Sequence, residues 1–127
     1  MNKLKLFLLI LFSQFLNSQS IIGAWEKYET NSDGSTHRHV VIFSEGFKST
    51  SVFDSSNGKF VSTNGGSWFL DGSTLTEKIE FNTQDQEKVG STIKVELDIK
   101  ENTVTNINSG KTWNRICLLY TSPSPRD

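Results

Sequence analysis

Short runs of alternating apolar and polar residues follow one another from Ile21 to Ile116, with Gly, Asn and Asp in the gaps, and this leaves the chain few folds to choose from. The clearest run is STIKVELDIK, where Ile93, Val95, Leu97 and Ile99 share one face and Lys94, Glu96, Asp98 and Lys100 the other. A period of two marks a strand with one side on a core and one in water. Around it stand IIGAWEKYET, THRHVVIF, FKSTSVF, KFVST, SWFL, STLTEKIEF, TVTNI and TWNRI. NSDGS, SEG, DSSNG, NGG, DG, NTQDQEKVG, EN and NSGK separate them. Gly and Asn supply the positive φ of tight hairpins. Strands at this spacing predict an all-β antiparallel meander. About eight to ten short strands in one meander close on themselves, because closure removes exposed edges. The expected fold is therefore a small up-and-down β-barrel, with a flatter two-sheet sandwich as the alternative. NTQDQEKVG has room for a single helical turn but too few apolar residues for a buried helix.

Both ends of the chain are unlike this pattern. Residues 1–20 carry Lys3 and Lys5, an apolar run from Leu6 to Phe12, then small and polar residues, the layout of a cleavable secretory signal peptide. A spanning helix needs about 20 apolar residues, so stable membrane insertion is not expected. Cleavage after Ser18, Gln19 or Ser20 fits, which places the protein in the periplasm or outside the cell. Residues 117–127, CLLYTSPSPRD, resemble a translated sequencing adapter, and are read as a non-native tail. The domain then spans residues 21–116, and it contains no cysteine, since Cys117 goes with the tail. It must fold on its core alone.

Charge narrows the partners. The thirteen basic residues fall to ten without Lys3, Lys5 and Arg126, and the fourteen acidic ones to thirteen without Asp127, a net charge of −3. A mildly acidic, interspersed surface argues against nucleic acid, which selects a basic patch. No basic amphipathic helix suggests a membrane surface.

Two features carry a family resemblance. GAW on the first strand (Gly23, Ala24, Trp25) and Arg115 in WNRI on the last are similar to the Gly-x-Trp and terminal basic residue of lipocalins and their relatives. NGGSWFLDGSTLTEKIEF resembles the central segment of a lipocalin-like family of small secreted bacterial proteins of unknown function. Gly65, Gly66, Trp68, Leu70, Asp71, Gly72, Thr76, Glu77, Glu80 and Phe81 fill its pattern, and KVGSTIKVELDI and GKTWNRI continue it. THRHVVIF is more basic than that family leads one to expect, and no Thr-Asp-Tyr signature follows. The resemblance implies a barrel closed by Gly23, Trp25 and Arg115, the guanidinium lying over the indole. It brings no activity with it.

The candidate site residues come from the strands themselves. In STLTEKIEF, alternation places Leu75, Glu77, Ile79 and Phe81 on one face, so a carboxylate points where a core is expected. Three readings stay open. Glu77 is satisfied by a backbone amide, Thr or Lys; or it hydrogen-bonds the polar end of an apolar ligand; or the register slips and Glu80 faces inward. In THRHVVIF, His37, His39, Val41 and Phe43 share a face. A metal would need a third ligand, and no cofactor or metal is expected. Trp68, after the glycines, is a candidate for a pocket mouth. No Gly-x-Ser-x-Gly elbow is present, so catalysis would rest on Glu77 with His37 or His39 as acid and base. The favoured expectation is noncatalytic binding of a small, largely apolar or amphiphilic molecule inside the barrel, with Glu77, His39, His37 and Trp68 around it. The alternatives are an interaction module with a filled core, and the acid–base enzyme.

Overall fold

The structure, a computed structural model, describes residues 20–116 together with Lys3 and Lys5. The expected signal peptide and adapter-like tail otherwise lie outside the described residues. Eight strands follow in chain order: β1 Gly23–Thr30, β2 Thr36–Ser44, β3 Phe47–Asp54, β4 Phe60–Asp71, β5 Thr74–Asn82, β6 Thr92–Ile99, β7 Thr103–Asn106 and β8 Thr112–Arg115. Each pairs antiparallel with the next, and β8 returns to β1 to close a barrel. The link after β5 holds one 3-10 turn, Gln86–Lys88, capped by the Asp85 carboxylate on the Glu87 N–H.

The alternation sends one side of every strand inward. Ile21, Trp25, Val41, Phe43, Leu75, Leu97 and Val104 form the buried cluster, with Trp68, Leu70, Val95, Ile99 and Trp113 packed against it. Closure rests on little backbone: among the described residues, only Trp25 with Arg115 and Glu26 with Asn114 pair between β1 and β8. Side chains brace that seam. The Arg115 guanidinium lies 4.1 Å from the centre of the Trp25 ring. Its nitrogens donate to the carbonyls of Ser20 at 2.8 Å, Ile22 at 3.1 Å and Glu101 at 2.7 Å. Trp25, 1% exposed, donates its indole N–H to the Ile21 carbonyl. Gly23 has φ of +135°, and a Cβ there would meet Arg115 Nη1 at 2.8 Å. The tripeptide GAW is thus a glycine that leaves room for the arginine and a tryptophan that lies under it.

Two local readings are corrected. NGG, expected as a turn between KFVST and SWFL, lies inside the 12-residue strand β4. Glycine serves close approach there: a Cβ on Gly65 would overlap the Lys48 carbonyl oxygen, and one on Gly66 the Lys78 carbonyl oxygen. The register of β4 against β5 shifts at this point, Gly65 pairing with Phe81 and Gly66 with Ile79, so Glu80 is an extra residue. The bulge turns Phe81 away from the Leu75–Glu77–Ile79 face, and its ring covers Gly65. Glu80 faces outward and accepts from the Ser67 N–H at 2.9 Å.

Arg115→Ala removes three charge-assisted hydrogen bonds and the cation–π contact, and is expected to lower stability by about 2–4 kcal/mol in urea unfolding. Arg115→Lys recovers only part of that loss, because an ammonium lacks the planar fork that reaches separated carbonyls.

Candidate functional site

The barrel interior is not filled. A cavity of about 150 Å³ lies between Trp25, Val41, Phe43, Leu75, Val95, Leu97, Val104 and Trp113, with Lys48, Thr50, Glu77 and Asn106 as its polar lining. Glu77 reaches it because β5 alternates: Leu75, Glu77 and Ile79 are 5%, 6% and 3% exposed. Burying a lone carboxylate in such a place costs several kcal/mol, so a partner is required.

That partner is Lys48 on β3, whose Nζ donates to Glu77 Oε1 at 2.8 Å and to Thr50 Oγ1 at 3.3 Å. β4 lies between the two strands, and the β4 residue opposite Lys48 is Gly66, which has no side chain to stand in the way. The Lys48 ammonium also lies 5.9 Å from the centre of the Phe43 ring. The pairing is incomplete. Glu77 Oε2 is buried with no hydrogen-bond partner among the described residues. The barrel thus encloses a neutral ion pair with one acceptor oxygen left over, next to open apolar space.

A second polar cluster stands beside Trp113. Glu29 accepts from Lys27 at 2.7 Å and contacts Lys111, and His39 Nε2 lies 3.2 Å from its other oxygen. The Lys27 ammonium sits 4.7 Å from the Trp113 ring centre, and the His39 ring meets that indole edge-on at 6.1 Å. The two lysines, Lys111 first, hold the Glu29 carboxyl pKa down to about 2. Burial and the Lys27 charge lower the His39 pKa, against the opposing pull of Glu29.

The sequence-derived candidates separate accordingly. Glu77 lines the cavity; His37, His39 and Trp68 are not among its lining residues. His37 sits by the β1–β2 turn, its Nδ1 3.3 Å from Asn31 Nδ2. His39 belongs to the Glu29 cluster, so the Glu77–histidine pair that acid–base chemistry would use is not assembled. Trp68, expected at a mouth, plugs the end where β2 turns into β3. It stacks edge-on against Phe43 at 5.1 Å and donates to the Ser44 carbonyl at 2.9 Å. Among the described residues no three His, Cys, Asp or Glu side chains gather as a metal site would require.

Lys48, Thr50 and Asn106 are site residues that the strand patterns did not single out. One side of the barrel wall is also incomplete. β6 pairs with β5 from Thr92 to Glu96, but with β7 only from Leu97 to Ile99. The Ile107 N–H on the Glu96 carbonyl is the last link. Among the described residues Thr92–Val95 therefore have no partner strand on that side, and Ile93 and Ile107 beside the gap are 41% and 59% exposed.

Comparison of the chain with known protein families, with curated proteins and with solved structures finds no match.

Lys48→Met strands Glu77 without its cation and is expected to cost about 3–5 kcal/mol in urea unfolding, whereas Lys48→Met/Glu77→Leu recovers most of it or exceeds wild type. The groups facing His39 are Lys27, Glu29, His37 and Lys111, and its ring is expected to titrate below its ordinary value of 6.5 by NMR. Lys27→Met moves that midpoint upward by removing a facing cation. Because the folded-state value is depressed, the His39 contribution to stability is complete above about pH 6.5 and is lost as pH falls through the lower folded value.

Proposed function

We propose that this chain is a secreted or periplasmic lipocalin-like barrel that binds a small, mostly apolar molecule in its interior, with Glu77 orienting the polar end. The observation that carries this reading is the unpartnered, buried Glu77 oxygen at the edge of an apolar-walled cavity. A few placed polar groups in an otherwise apolar cavity is the usual composition of a small-molecule site. A buried acceptor without a donor costs about 1–3 kcal/mol, so this oxygen favours a bound group that donates to it. A ligand donor removes that cost on binding.

The gap beside Thr92–Val95 offers a route inward, next to the lining residue Val95. The end sealed by Trp25, Arg115, Phe43 and Trp68 does not. His39 stays with Glu29 beside Trp113 and bears on that rim rather than on the ligand's polar end.

The unpaired β6 edge also favours a second reading, an interaction module that accepts an added strand from a protein partner. Native mass spectrometry of the purified full chain, incubated with a mixed metabolite extract, separates the two. Interior binding predicts a small-molecule adduct that weakens in Glu77→Gln. No adduct, together with capture of an extended peptide, supports the strand-addition module instead.

A further inference from the structure

We infer that the interior site takes a single aromatic ring carrying a hydroxyl group, a simple phenol, and excludes long-chain lipids. This rests on the interior-binding reading and narrows it to a ligand class. Size comes first. A dry engineered cavity of about 150 Å³ holds benzene, whereas drug-sized ligands occupy roughly 300–1,000 Å³. The cavity here is about 150 Å³. It therefore encloses one ring, whereas a fatty chain would leave most of its length outside. Nor can a chain thread through the barrel, because Arg115 over Trp25 and Trp68 against Phe43 close the far end.

Polarity selects the head group. Glu77 Oε2 is an unmet acceptor, and the torsion that carries a carboxylate is soft, so a small turn presents it to the cavity. Lys48 has three N–H donors, of which two are engaged by Glu77 and Thr50. A group that donates to Oε2 while accepting from the remaining Lys48 N–H meets both needs. A hydroxyl does this; an indole N–H, which only donates, meets one. Charge excludes the rest. Lys48 and Glu77 cancel, so a ligand carboxylate or ammonium would leave a net charge in a low-dielectric interior. The ring then lies against Leu75, Leu97, Val104 and the Trp25 and Trp113 indoles.

The test compares phenol, toluene and octanoate, titrated into the full chain at pH 7. Calorimetry reads the affinity, and methyl NMR shifts at Val41, Leu75, Leu97 and Val104 locate the binding. Phenol and toluene differ only by hydroxyl against methyl. Phenol is expected to bind about tenfold or more tightly than toluene, a preference worth about 1.4 kcal/mol, and octanoate not at all. In Lys48→Met/Glu77→Leu the order of phenol and toluene reverses. The wild-type ratio is decisive even if that variant fails to fold. Toluene equal to or tighter than phenol overturns the head-group assignment while interior binding stands. Octanoate bound at those methyls more tightly than phenol overturns the size assignment. No shift at those methyls with any probe overturns both this inference and the reading beneath it.

Discussion

The barrel depends on one seam. Two backbone residue pairs and the Ile116 N–H on the Ala24 carbonyl join the end of the chain to the first strand, far fewer links than the hairpin ladder of β1 and β2. Arg115 compensates through its fork of donors, holding the segment before β1, the turn before β7 and the face of Trp25 at once. Gly23 and Trp25 act with it: one makes room for the guanidinium and the other receives it. Because this end is closed by side chains, the interior is left with space between that plug and the opposite rim.

Within that space the fold tolerates a conflict. The interior is walled by apolar residues, yet β3 and β5 each send a charge among them. Lys48 and Glu77 meet across β4 where Gly66 puts no side chain between them, and the bulge at Glu80, opposite the glycines, turns Phe81 outward. Replacing such a pair by apolar side chains is often neutral or stabilising. Here the pair stands beside open volume with one oxygen unmet, the arrangement on which the proposed binding site rests.

Much of the architecture was legible in the sequence. Period-two alternation in STIKVELDIK and the Asn and Gly turns lead to an antiparallel barrel because each is a local signal, while closure through the GAW and WNRI ends was implied by resemblance alone. The misreadings share a cause. Gly65 and Gly66 look like a turn, since close backbone approach and positive φ select the same residue, and only the neighbouring strands reveal which is in force. In FKSTSVF the two phenylalanines mark the outer face: Phe47 is 49% exposed and Phe53 stacks on Phe60, while Lys48, Thr50 and Val52 point in. Hydrophobicity thus hid the partner of Glu77, although the need for one could be read from Glu77 itself. Lys27 and Glu29 follow Trp25 at inward positions, so their cluster was open to the same alternation argument. Its contact with Lys111 was not, because it depends on barrel closure.

The central claim for the interior is that Glu77 holds a ligand's polar end. A crystal structure of the full chain grown with phenol answers that at the atoms concerned. One ring is expected between Trp25, Leu97 and Trp113, with its oxygen within about 3 Å of Glu77 Oε2. A collapsed interior without the ring, or Glu77 satisfied by Lys48 and a protein donor on both oxygens, would contradict it.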